Sequence, residues 1–176
     1  MKGTRQSRWV ILLSCATLWL TPAWADYQLA PGDLVQIAVY GEDDLSPRIR
    51  VDEGGSISYP FLGKLTVTGL TTEQLTQMIH DGLKGDYLID PKVSVSISEY
   101  RPFYVGGAVN APGNFSFEPG MTVRKALSLA GGTTDRASLK KIFVVRDGTS
   151  ESDRSKVGLD DALGPGDILT VEESFF

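Results

Sequence analysis

The stretch VDEGGSISYPFLGKLTVTGLTTEQL, residues 51–75, constrains the fold more than any other part of this chain. Ile57 and Tyr59 alternate with serines, and Leu65 alternates with Val67, so each pair predicts a short strand with one buried face. Glu53-Gly54-Gly55 reads as the turn before the first, and Pro60-Phe61-Leu62-Gly63 as the corner between them. A helix follows over residues 71–83. Thr71 stands at its N-cap, and Gln74 sits three residues on, where a capping box needs it. Leu75, Met78, Ile79 and Leu83 fall on one helical face.

The rest of the chain is punctuated in the same way. Val35, Ile37 and Val39 predict a strand, continued at Ile49 and Val51, and Val93, Val95 and Ile97 predict another. After Arg101-Pro102 a second unit begins. Phe103 and Val105 predict a strand ending at Gly106-Gly107, followed by an Ala111-Pro112-Gly113 turn and alternating Phe115 and Phe117. Thr122 opens a second helix with a Val123, Ala126, Leu127, Ala130 stripe, and Gly131-Gly132 stops it. Residues 142–145 and 168–171 predict strands, with a polar loop over 148–156 between them. Two internal echoes stand out. Ala30-Pro31-Gly32-Asp33-Leu34-Val35 resembles Gly164-Pro165-Gly166-Asp167-Ile168-Leu169, each a preset turn leading into an apolar strand. The Gly69-Leu70-Thr71 and Gly120-Met121-Thr122 turns each open an amphipathic helix.

The N-terminus reads as a secretory signal. Lys2, Arg5 and Arg8 precede the apolar run WVILLSCATLWL, and Ala23-Trp24-Ala25 fits a cleavage site after Ala25. A span needs about 20 apolar residues, and this run is shorter. Lipidation at Cys15, after Leu12-Leu13-Ser14, is the alternative. Removal of residues 1–25 leaves 14 basic against 22 acidic side chains and no cysteine. That balance argues against nucleic acid and anionic lipid as partners, and it excludes disulfides.

The spaced pattern in the first unit is similar to the bacterial polysaccharide export family. It comprises Pro31-Gly32-Asp33, Val39-Tyr40-Gly41, Leu45, Val51, Gly55, Ile57, Pro60, Gly63, Val67, Gly69-Leu70-Thr71 and Pro91. In the second unit, residues 104–113, Gly107 and Pro112-Gly113 among them, resemble the start of an SLBB domain. Gly131-Gly132 and Gly164-Pro165-Gly166-Asp167 extend that likeness. The resemblance implies an α+β protein: a signal peptide (1–25), an export-type αβ domain (26–99) and an SLBB β-grasp domain (100–174). It implies the short periplasmic form with one SLBB domain, because five residues after the last strand leave no run for a membrane-crossing helix. It further implies a periplasmic component near the outer membrane, forming or lining a conduit for exopolysaccharide or capsule. The implied partners are further copies in a ring, an outer-membrane channel protein, an inner-membrane polysaccharide co-polymerase and the polysaccharide itself. A stand-alone periplasmic carbohydrate- or ligand-binding protein is the alternative.

No catalytic, cofactor-binding or metal site is expected. His80, the one histidine, reads as a solvated helix residue, with no nucleophile motif to serve. Glu42-Asp43-Asp44 lacks the alternating ligands of a calcium loop. The Gly54-Gly55, Gly106-Gly107 and Gly131-Gly132 pairs read as turns with positive φ. Tyr40, Tyr59, Phe61, Tyr100, Phe103 and Tyr104 could stack on sugar rings, but most read as core, Tyr59 and Phe103 above all. Phe175-Phe176 reads either as a clamp on the domain's own core or as a docking contact.

Overall fold

A computed structural model describes residues 27–174. The signal segment, Cys15, Ala25 and Phe175-Phe176 lie outside the described residues. Strand β1 (Leu34–Val39) is the centre of an antiparallel sheet, between β2 (Arg48–Arg50) and β5 (Val93–Glu99). Strands β3 (Ser56–Tyr59) and β4 (Gly63–Thr66) form a separate hairpin, and α1 (Thr72–Leu83) packs on β5. Val35, Ile37 and Val39 point inward, as period two requires. They meet Ile57, Tyr59, Leu75, Ile79 and Leu83 in one apolar cluster. The Thr71–Gln74 capping box is formed in both directions, at 3.2 and 2.9 Å.

A second apolar cluster runs from Phe103 to Val171. Here β6 (Phe103–Gly107), β7 (Gly113–Phe115), β8 (Ala137–Val145), β9 (Ser155–Lys156) and β10 (Ile168–Glu173) form one mixed sheet. Its order is β7-β6-β10-β8-β9, with β6 and β10 parallel and the other pairs antiparallel. Helix α2 (Val123–Leu129) covers one face with Val123, Ala126 and Leu127. At Gly107, φ is +80°, and a Cβ there would collide with the Val171 carbonyl, so this sheet needs glycine at that point. Among the described residues no helix is long and apolar enough to cross a membrane.

Several details differ from the sequence pattern. Only Tyr59 and Phe103 of the six aromatics are buried. Tyr40, Phe61 and Tyr104 are exposed, and Tyr100 is partly so. Alternation alone puts Tyr40 opposite Val39, and Phe61 lies in a corner outside either strand. Met78 stands at the edge of its stripe and is partly exposed. His80 is half-buried, its Nδ1 2.9 Å from Asp81 Oδ1, rather than fully solvated. The polar loop over 148–156 contains β9, because Phe143 and Val144 offer it an edge to pair with. Helix α1 tolerates Gly82 for a packing reason: a Cβ there would press on Leu62.

Candidate functional site at the domain junction

The two Pro-Gly-Asp turns face each other across the linker at Tyr100, Arg101 and Pro102. Each aspartate closes its own turn. Ala30 N–H donates to Asp33 Oδ2 at 2.9 Å, and Gly164 N–H donates to Asp167 Oδ2 at 2.7 Å. A backbone N–H then reaches the other oxygen: Arg101 to Asp33 Oδ1 at 2.9 Å, and Asp147 to Asp167 Oδ1 at 3.1 Å. An arginine completes each set. Arg101 Nη1 lies 3.2 Å from Asp33 Oδ2, and Arg146 Nη1 lies 2.6 Å from Asp167 Oδ2. Both carboxylates are buried, and among the described residues no buried side-chain polar atom lacks a partner.

Arg101 carries the link between the domains. Its Nε and Nη2 donate to Asp147 Oδ2 at 3.1 and 2.7 Å while Nη1 holds Asp33. One guanidinium thus bridges a carboxylate of each domain, which its planar fork of donors allows. Tyr27 donates its hydroxyl to Asp33 Oδ2 at 2.6 Å and takes a hydrogen bond from Arg101 Nη1. Burial, then the bond to Asp33, pushes the Tyr27 hydroxyl well above the ordinary phenol range, so it stays a donor. For Arg101, burial alone works against the charge, but Tyr27, Asp33 and Asp147 together raise its pKa.

The turn glycines make the close approach possible. Gly32 (φ +95°) would place a Cβ 3.3 Å from Arg101 Cβ, and Gly166 (φ +83°) would place one against the Asp147 carboxylate. Gly166 N–H also donates to the Pro102 carbonyl at 3.1 Å. Behind the ions, Tyr100 stacks edge-on with Tyr27 (5.0 Å) and Phe117 (5.5 Å), one ring from each domain. Two shallow hollows flank Tyr100, of about 350 and 330 Å3. Thr71, Thr72 and Glu73 help line one, and Ser116, Phe117 and Glu118 the other.

Of the motif residues read from the sequence, the junction gathers Pro31-Gly32-Asp33 and Gly166-Asp167. The others stand elsewhere. Pro60 and Gly63 (φ +70°) make the β3–β4 corner, and Gly69 (φ +81°) makes the turn into α1. Gly107 ends β6, Pro112 and Gly113 lead into β7, and Gly131 and Gly132 (φ +73° and +85°) follow α2. Glu42, Asp43 and Asp44 lie on an exposed turn, and among the described residues no group of three or more His, Cys, Asp or Glu is placed to hold a metal ion. Sequence reasoning missed Arg101 and Asp147. The available signal was the paired Pro-Gly-Asp echo, since two buried acids each require a cation.

Residues 21–98 match the family model described as polysaccharide biosynthesis/export protein, and residues 102–158 match the SLBB domain. The chain belongs to the polysaccharide biosynthesis/export family. Its export domain and SLBB domain are the two units joined at Arg101. It is 38% identical over 112 residues to the exopolysaccharide production protein ExoF of Rhizobium meliloti (strain 1021), covering 61% of this chain and 25% of ExoF. It is 31% identical over 158 residues to the polysialic acid transport protein KpsD of Escherichia coli, covering 88% of this chain and 27% of KpsD. The EPS I polysaccharide export outer membrane protein EpsA of Ralstonia nicotianae is 29% identical over 181 residues, covering 84% of this chain and 47% of EpsA. The chain therefore spans between a quarter and a half of the length of these relatives.

Proposed function

We propose that this chain is a periplasmic component of an exopolysaccharide or capsule export translocon, and that it forms or lines part of the polymer's route toward the outer membrane. The observation that carries the reading is the tandem of export and SLBB domains, matched across most of the described residues by polysaccharide export, production and transport proteins. The protein acts by holding a path and not by catalysis. The junction supports this role, because a conduit built from repeated copies needs each copy to keep one shape, and the Asp33–Arg101–Asp147 bridge fixes the two domains against each other. Further copies in a ring, an outer-membrane channel protein and an inner-membrane polysaccharide co-polymerase are the partners of this reading. The signal segment is cleaved after Ala25, and the motif glycines and prolines serve the fold. Deleting the gene in its own bacterium tests the proposal: polymer should vanish from the medium and accumulate with the cells, and crosslinking should trap multimers of the chain. Unchanged release, with a strict monomer in crosslinked cells, would overturn it in favour of a stand-alone binding protein.

A further inference from the structure

The end of the export domain opposite the junction carries a cluster of outward aromatic and apolar side chains. Strand β1 runs from the junction at Leu34 to Val39, so Tyr40 lies at the far end, where its N–H donates to the Lys92 carbonyl. The β3–β4 corner reaches the same end, since the Tyr59 hydroxyl donates to the Leu45 carbonyl at 2.7 Å. Helix α1 starts beside the junction-side hollow and delivers residues 84–92 there. Tyr40 is 87% exposed, Phe61 66%, Tyr87 47% and Ile89 94%. Phe61 and Tyr87 stack at 4.9 Å between centroids. Among the described residues Phe61 is the one non-glycine with positive φ, at 62°. Holding a bulky side chain there is costly, and Phe61 is not among the residues packed on the core, its ring lying largely open to solvent. Beside Tyr40 lies an open hollow of about 560 Å3, lined among others by Asp43, Ser46, Lys92 and Ser94.

We infer that this end of the export domain is a carbohydrate-binding surface that takes a neutral pyranose chain, stacking sugar rings on Tyr40 and on the Phe61–Tyr87 pair. Aromatic faces are electron-rich and attract the C–H edge of a sugar ring, while carboxylate and hydroxyl groups beside them take its hydroxyls. The mixture of separated rings with Asp43 and Ser94 suits a sugar chain better than a protein, whose interface core is depleted in charge. Glu42, Asp43, Asp44, Asp86 and Asp90 outnumber Lys84 and Lys92 around the rings, so a polyanion is repelled. This inference rests on the export reading for its biological substrate, but its test does not.

Native gels cast with hydroxyethylcellulose, with a neutral galactan or with a polyuronate read the affinity of the purified protein directly. The protein should be retarded by at least one neutral polymer and hardly by the polyuronate. Phe61→Gly keeps the positive φ and removes the ring, so it should melt no lower than the parent, and combined with Tyr40→Ala it should weaken retardation about tenfold. Leu129→Ala, an exposed apolar position on α2, should leave retardation unchanged. Equal retardation of the double variant and the parent, or no retardation by either neutral polymer, overturns the inference. So does a crosslink from this end to an envelope protein that the double variant loses while polymer binding is absent. In that case the export phenotype of the deletion still stands or falls separately.

Discussion

The two Pro-Gly-Asp turns are near copies in hydrogen bonding and differ in what they hold. Asp33 is fully buried and its arginine side chain is 15% exposed; Asp167 is nearly as buried, but Arg146 is 46% exposed. Asp167 takes all its partners from the SLBB domain, so it staples its own turn. Asp33 takes Tyr27 and Ala30 from the export domain and Arg101 from the linker, and Arg101 carries the bond on to Asp147. The same local chemistry thus serves as a turn staple in one place and as a weld between domains in the other.

Arg101→Ala should have the largest effect, because it leaves the buried Asp33 charge without its cation. Breaking a buried pair in this way costs about 3–5 kcal/mol. Urea unfolding should show it, and the export domain should unfold ahead of the SLBB domain. Arg101→Lys should recover only part, since a lysine cannot bridge both carboxylates in the plane of one fork. Arg146→Ala should cost less, about 1.5–3 kcal/mol, the worth of a hydrogen bond to a charged group, because water reaches that side. Equal losses for the two alanine variants in matched urea titrations would break the contrast between weld and staple.

A smaller effect belongs to the end of α2. Gly132 N–H donates to the Leu127 carbonyl at 2.8 Å from a left-handed residue, and Gly131 shares that conformation. Gly131→Val and Gly132→Val should each cost about 1–2 kcal/mol by thermal melting. The smallest effect is electrostatic. The Ser56 N–H, donating at 2.8 Å, and then Lys64 hold the exposed Asp52 carboxyl below its ordinary value. A carboxylate with a lowered folded pKa adds stability above its unfolded pKa and loses it as pH falls through the folded one. Asp52→Asn should therefore make the urea midpoint slightly less sensitive to acid as the pH falls below about 4.

Much of this architecture was legible in the residues. The alternation of Val35, Ile37 and Val39, the Thr71–Gln74 box and the Gly131-Gly132 stop are local signals, and each forms as its chemistry dictates. The Pro-Gly-Asp echo was legible as well, but only as two turns. What it joins was hidden because Asp33 and Arg101 are 68 residues apart, and Arg101-Pro102 read simply as a boundary. Likewise Tyr100 gave no sign that it would stack on Tyr27 and Phe117, since ring contacts between domains leave no period in the sequence. Of the six aromatics that read mostly as core, Tyr40 and Phe61 lie outside, because the phase of β1 and the corner at Pro60 turn them to solvent.

The central claim is that the buried Asp33 turn fixes the two domains as one body. Residual dipolar couplings of the backbone amides, measured on the protein in a dilute aligning medium, test it directly. The account predicts that couplings from both domains fit a single alignment tensor with this arrangement, and that Arg101→Ala splits them into two. Two independent tensors in the unaltered protein would contradict it.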